Sequence, residues 1–203
     1  MSVKTAVPDH PILDLFKERW SPRAFTAQPI ELAKIRSIFE AARWAASSAN
    51  EQPWRFIVGL AGDGTHRKLA SCLAPTNALW APQAPVLAMS VASLKFTLNG
   101  NPNRVAVYDV GAAAAHLSLQ AVSMGIYTHQ MAGFDVAKAC QAFEIPEGYD
   151  PVAMIAMGYL GDPATLNEKQ QQMELAPRTR KPLAELLFSD KWGVPAERLL
   201  TNS

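Results

Sequence analysis

Arg19, Ser21 and Arg23 lie on one short stretch of a 203-residue chain, and Arg178 and Arg180 lie near its other end. A guanidinium presents a planar fork of donors that matches phosphate oxygens, and a serine hydroxyl adds a further donor. Taken alone, the Arg19–Arg23 stretch reads first as a solvated basic helix end facing its own dipole. Between them lies a loop of different character, Ser47–Phe56, which reads Ser-Ser-Ala-Asn-Glu-Gln-Pro-Trp-Arg-Phe. Asn50 and Gln52 each carry an amide that donates and accepts, which suits the polar edge of a planar heterocycle. Pro53 fixes its own φ and biases Gln52 toward an extended backbone, setting the angle at which the amides are presented. An ordinary helix-to-strand connection anchored by Trp54 is the other reading of this loop.

Other chemistries lack their residues. The sequence has no P-loop, no G-x-G-x-x-G and no G-x-S-x-G. No H-x-x-x-H or C-x-x-C pair is spaced for zinc. Cys72 and Cys140 stand alone, so no disulfide framework is expected and the compartment reads as reducing and cytoplasmic. A net charge of +1 provides no field to draw nucleic acid or a membrane surface. Residues 1–20 carry Asp9, Asp14, Lys17, Glu18 and Arg19, so no apolar leader is expected there. The charge-free stretch that opens at Val110 contains His116, Gln120 and His129, which suits a buried helix better than a membrane span. His116 reads as a hydrogen-bonded core residue, whereas His129 stands between lining a pocket and serving a plain loop. Tryptophans 20, 44, 54, 80 and 192 read as core or interface residues. If the two arginine clusters converge, they and the amide loop describe a site for a phosphorylated planar cofactor, and flavin mononucleotide (FMN) fits that description.

The elements that must position these groups follow from periodicity. Pro11–Trp20 reads as a short helix stopped by Pro22. Glu31–Ala46 is the clearest helix, with Leu32, Ile35, Ile38, Phe39, Ala42 and Ala45 on one face. A strand is expected over Trp54–Leu60, a helix over Thr65–Leu73 and a strand buried on both faces over Pro85–Ala92. Thr97–Arg104, with three Asn, a Gly and a Pro, is a loop able to line a substrate entrance. Tyr108–Gly125 is a long helix, apolar nearly all round, which suggests burial against a second subunit. A strand or loop follows over Ile126–Phe134, then a helix from Asp135 to Phe143, a strand over Pro151–Leu160 and a polar helix over Ala164–Leu175. Leu183–Phe188 forms a last helical turn in a C-terminal arm. The pattern is one domain over residues 1–203 with an α/β or α+β layered fold.

The ordered motifs resemble the FMN-dependent nitroreductase family along nearly the whole chain. Arg19-Trp20-Ser21-Pro22-Arg23-Ala24-Phe25 is similar to its R-R-S-x-R-x-F phosphate motif, and Ser47–Phe56 is similar to its P-S-x-x-N-x-Q-P-W-x-F motif. Asp109–Ala113 with Leu117 and Gln120 resembles the family's central helix, Gln130–Phe134 the segment beside the flavin ring, and Gly158–Gly161 its late strand end. Arg178-Thr179-Arg180-Lys181-Pro182-Leu183 resembles the basic C-terminal phosphate motif. The sequence departs from the pattern at Trp20, where a basic residue is usual, and at Ala46, where proline is common.

The resemblance implies an α+β nitroreductase-like fold: a mainly antiparallel central sheet flanked by helices, with a long dimer-interface helix and a C-terminal arm packing on the partner. It implies a homodimer with FMN at the interface. Arg19, Ser21, Arg23, Arg178 and Arg180 would hold the phosphate and nearby ribityl oxygens, with the contact at Trp20 altered. Ser47, Ser48, Asn50 and Gln52 would reach the ring from the other subunit, and Asn77 its pyrimidine edge. Gln130, Met131, Ala132 and Gly133 would pass the ring, with backbone N–H groups toward N5 and O4. No side chain is implied as catalytic, and His129 and Phe134 would shape the pocket. The implied activity is reduction of nitroaromatics, quinones or similar small acceptors by NAD(P)H, in ping-pong hydride transfer through flavin N5. Three other readings stay open: a same-fold flavin enzyme for dehalogenation, flavin fragmentation or heterocycle dehydrogenation; a non-catalytic FMN-binding module; and arginines that cap helices and bind nothing.

Overall fold

The computed structural model describes residues 4–200. Its frame is a four-stranded sheet of β1 (Trp54–Leu60), β2 (Val86–Ser93), β3 (Tyr127–Met131) and β4 (Tyr149–Gly158). The strand order is β1-β2-β4-β3, and every neighbouring pair is antiparallel. The apolar run of β2 makes it a central strand, with Val86 to Ala92 buried throughout. The antiparallel α+β architecture expected from the sequence is the one observed.

Each face of the sheet carries its own core. On one face lie α2 (Leu32–Arg43) and α5 (Ala106–Ser123), which pack together through Ile38, Ala42, Ala113 and Leu117. The other face is covered by α3 (Gly64–Ser71), α6 (Val136–Phe143) and the extended segment Ala24–Phe25, around Leu69, Cys72, Trp80 and Met154. Asp63 caps α3 by accepting from His66 N at 2.6 Å, and Asp135 caps α6 by accepting from Lys138 N at 2.9 Å. The short helices α1 (Asp14–Glu18) and α4 (Pro75–Ala78) flank these layers, and α7 (Glu168–Leu175) and α8 (Glu197–Leu200) follow the sheet. No described helix is long and apolar enough to cross a membrane.

Several expectations shift. The helix expected to reach Ala46 ends at Arg43, and the backbone is extended by Ser47 (φ −146°, ψ 156°). The expected polar helix over Ala164–Leu175 is two pieces: a 3₁₀ turn over Pro163–Thr165, then α7. Leu166 and Asn167 between them are extended, and Asn167 caps α7 by accepting from Gln170 N at 2.9 Å. His116 is exposed and is not a core residue. The helical stripe Ala113, Leu117 and Ala121 faces the sheet, so His116 turns outward with Tyr108, Gly111 and Ala115. Of the tryptophans, Trp54 and Trp80 are buried, while Trp44 and Trp192 are exposed on the single chain. Beyond Pro182 the chain forms a turn at Leu183–Glu185, a bridge between Phe188 and Pro195, and α8. None of these residues belongs to either core, and Trp192 is 92% exposed.

Candidate functional site

The turn Arg19–Phe25 is fixed by backbone contacts at the end of β4. Phe25 forms an isolated antiparallel bridge with Leu160, Thr26 N donates to Tyr159 O at 3.0 Å, and Gly161 N donates to Ala24 O at 2.8 Å. A Cβ on Gly161 would stand 2.6 Å from the Phe25 carbonyl carbon, so only glycine allows this approach. The Glu174 carboxylate, 3% exposed on α7, closes the turn from the other side. It accepts from Arg23 N at 2.9 and 3.0 Å and from Ala24 N at 3.1 Å.

The two arginine clusters do converge. Arg178 Nη1 donates to Lys4 O at 3.0 Å and to Lys17 O at 2.5 Å, which holds the C-terminal motif against the N-terminal one. Arg19 Nη1 lies 3.5 Å from Ser21 Oγ. Burial lowers the Arg19 pKa, and the nearby charge of Arg180 lowers it further. The Arg178 pKa is lowered first by burial, then by the charges of Arg19 and Arg180. Among the described residues none of these three guanidiniums has an acidic ion-pair partner within 4 Å. Mutually repelling cations with no acidic partner make a site for a strong anion, and the donor set fits a phosphomonoester. Trp20 stands beside them, its ring edge-on to Tyr127 at 6.3 Å and beneath Lys4 Nζ at 5.2 Å. Its Nε1 is buried without a hydrogen-bond partner. The aromatic ring thus takes a packing role where the family pattern has a cation.

Arg23 diverges from Arg19. Its guanidinium is 3.9 Å from Glu174, and it lines a cleft of about 690 Å³. Asn77 and Trp80 share this cleft, and Asn167, Gln170 and Met173 close it from the α7 side. Asn77 Nδ2 donates to Gly133 O at 2.9 Å, and Ala74 N donates to the same oxygen at 3.0 Å. Asn77 therefore both lines the cleft and fixes the segment after β3. The side chains of that segment are differently placed. Met131 is buried in the core, and Gln130 Nε2 donates to Ser118 Oγ at 3.2 Å on α5. Ala132 is exposed and Gly133 half-buried, so their backbone can reach a ligand. His129 does not line the cleft. Its ring lies 4.6 Å from that of Trp80 and 2.8 Å from Pro22 O. A carbonyl only accepts, so Nδ1 carries the proton. Burial lowers the His129 pKa to about 4 despite the bond to Pro22, and the charge of Arg23 adds to the shift.

The amide loop has its own support. Ala49, Asn50 and Gln52 all have positive φ, at 52°, 55° and 53°. Gln52 is therefore left-handed, not extended as Pro53 suggested. Its N–H is held by Ser47 Oγ at 3.0 Å, its Nε2 by Asn50 O at 3.0 Å, and its carbonyl by Arg55 Nη1 at 2.9 Å. Three anchors on one residue override the local bias. Asp109, 4% exposed on α5, accepts from Ser48 N at 3.0 Å, and Glu51 binds Thr97 of the following loop.

The loop and the arginines lie far apart within one chain. The loop precedes Trp54, which pairs with Ala92, and it leans on α5. The arginine turn bridges Leu160, just past Gly158, which pairs with Tyr127 at the opposite end of the sheet. With β1 seven residues long, the two are roughly 20 Å apart along the strands. They also belong to opposite faces.

Sequence reasoning missed Glu174, Lys4, Trp80 and the α7 wall. Glu174 contacts Arg23 across 151 residues, and no local pattern announces such a pair.

The sequence pattern of the Nitroreductase family matches residues 16–78 and 72–159. The chain belongs to the nitroreductase family. A 15.4-kDa uncharacterised protein of Mycolicibacterium smegmatis is 39% identical over 152 residues, covering 70% of this chain and 99% of that protein. A Xanthomonas oryzae protein named as a candidate NADH dehydrogenase/NAD(P)H nitroreductase is 26% identical over 184 residues, covering 82% and 93%. Among solved structures, an oxidoreductase containing FMN superposes with a TM-score of 0.88 at 30% identity, over 95% of this chain and 98% of that one.

Proposed function

We propose that this nitroreductase-family chain is one subunit of a homodimeric, cytoplasmic FMN-dependent NAD(P)H oxidoreductase, folding as one domain over residues 1–203. Its acceptors are nitroaromatics, quinones or similar small molecules. The observation that carries the reading is the convergence of Arg19, Arg178 and Arg180, without an acidic partner among the described residues, while Arg23 of the same turn as Arg19 lines a cleft with Asn77. The FMN named for the similar solved structure and the activity named for the Xanthomonas relative support it.

Bound FMN would supply hydride transfer from NAD(P)H to the acceptor. Arg19, Ser21, Arg178 and Arg180 would hold the phosphate. Arg23 and Asn77 would orient the ring edge, and backbone N–H groups at Ala132 and Gly133 would offer donors to negative charge there. Ser47, Ser48, Asn50 and Gln52 complete the site from the partner subunit, because one chain places them a sheet's length from the arginines. No side chain is required as an acid, since water can deliver the proton.

The test is an absorption spectrum of the purified protein, followed by NADH or NADPH without oxygen. An oxidised flavin spectrum that bleaches, and returns on adding a nitroaromatic or quinone, is expected. A flavin that neither nucleotide bleaches would point to a binding module. No flavin uptake even after incubation with FMN would overturn the reading.

A further inference from the structure

We infer that Glu174 is the positioning residue that sets the register of the two phosphate-binding motifs, and so gives this protein its preference for a phosphorylated flavin. The inference rests on the function proposed above. Glu174 is a carboxylate 3% exposed, one of the few charged side chains buried in the chain. Its oxygens accept the N–H groups of Arg23 and Ala24, in the middle of the turn that carries Arg19, Ser21 and Arg23. Its own carbonyl accepts from Lys4 Nζ at 2.7 Å. Four residues on, Arg178 binds the carbonyls of Lys4 and Lys17. One short segment, 174–180, thus supplies the second arginine pair and the carboxylate that fixes the first. The separation of the clusters is set by this spacing.

The consequence for binding is geometric. A phosphate held by several guanidiniums gains from forked, directional bonds, which tolerate little displacement. Glu174 spreads its charge over backbone N–H groups, and its contact with Arg23 is only marginal at 3.9 Å. It leaves Arg19, Arg178 and Arg180 without an acidic partner, so it organises the anion site without filling it. Glu174→Gln keeps the shape of the side chain, but even with its oxygen accepting from Ala24 N, its amide nitrogen faces Arg23 N, donor against donor. The turn must shift to relieve that clash, and the arginines shift with it.

The measurement is flavin titration of flavin-stripped wild-type protein and Glu174→Gln, followed by fluorescence quenching, with FMN and with riboflavin, which lacks the phosphate. Wild type is expected to favour FMN. In Glu174→Gln the Kd for FMN is expected to rise at least tenfold, several times more than that for riboflavin, which loses only the alignment of Arg23. Parallel losses for both flavins would assign Glu174 to folding alone and overturn the inference, as would an unchanged FMN Kd. If Glu174→Gln is recovered unfolded, Glu174→Asp, which keeps the charge with a shorter reach, carries the same comparison. Wild type that takes up neither flavin would overturn the proposed function and this inference together. Wild type that discriminates while the variant does so equally would overturn only the inference.

Discussion

His129 shows how a residue can matter to a site without lining it. The ring is wedged between Trp80 and the Pro22 carbonyl, directly beneath the arginine turn. Its pKa, lowered to about 4 by burial, lies below the ordinary 6.5. The folded state therefore rejects a proton that the unfolded chain accepts. Stability from this group is complete above pH 6.5 and is lost as pH falls toward 4, by up to about 3 kcal/mol at about 1.4 kcal/mol per pKa unit. Urea unfolding of wild type and His129→Asn across that window checks it. The variant should show a shallower decline by close to one proton, and equal slopes would place the titration elsewhere. At the same scale, the three positive φ values at Ala49, Asn50 and Gln52 persist because Ser47 and Arg55 tie the loop to itself and Asp109 holds it from α5.

At the scale of elements, the site depends on how closely the Arg19–Phe25 segment approaches the end of β4. Gly158 and Gly161 make room for it: a Cβ on Gly158 would lie 2.8 Å from the Phe25 ring, and one on Gly161 would meet Phe25 backbone. The backbone contact cannot be relieved by a rotamer change. Gly161→Ala is expected to cost about 1–3 kcal/mol in thermal or chemical unfolding, as overpacking does. It is also expected to weaken FMN binding, because the displaced segment carries Ser21 and Arg23. Wild-type stability and affinity in Gly161→Ala would show that the segment can move without consequence. Helix α7 acts from the other side, with Glu174 on the turn and Gln170 and Met173 on the cleft. A polar helix of eight residues with little apolar face thereby helps hold both halves of the site.

At the scale of the molecule, the register of the sheet keeps the two halves of the proposed site apart within one chain. The arginine turn adjoins Leu160 and Tyr127, and the amide loop adjoins Trp54 and Ala92, at opposite ends and on opposite faces. A site using both takes them from two chains. The outward face of α5, with Tyr108, Gly111, Ala115 and His116, and the exposed arm around Trp192 are surfaces such a pairing can cover. Complementation tests this. Arg19→Ala/Arg180→Ala in one chain and a glycine replacement of Ser47–Asn50 in another should each abolish bound flavin. Co-expression should restore about a quarter of the wild-type flavin content, since half the dimers are mixed and each mixed dimer has one intact site. No restoration would mean that a single chain builds the site.

Most elements, and the kinds of chemistry, were legible in the sequence. The strand Trp54–Leu60 is observed with the expected bounds, β2 lies within one residue of its expected limits, and α5 is displaced by only two residues, because apolar periodicity is a local property. Arg19, Arg23, Arg178, Arg180, Asn50 and Gln52 were legible because their side-chain chemistry is distinctive wherever they lie. Which of them meet depends on contacts between distant parts of the chain. Arg19 meets Arg178 and Arg180 because Arg178 binds Lys4 and Lys17, a contact spanning 161 residues or more. Gln52 is left-handed because anchors outside its dipeptide outweigh the proline bias. His116 faces outward because helix rotation, which is set by packing against the sheet, cannot be read from a stretch that is apolar on nearly every side. Glu174 carries no motif at all, since its role exists only once α7 is laid against a turn 151 residues earlier in the chain.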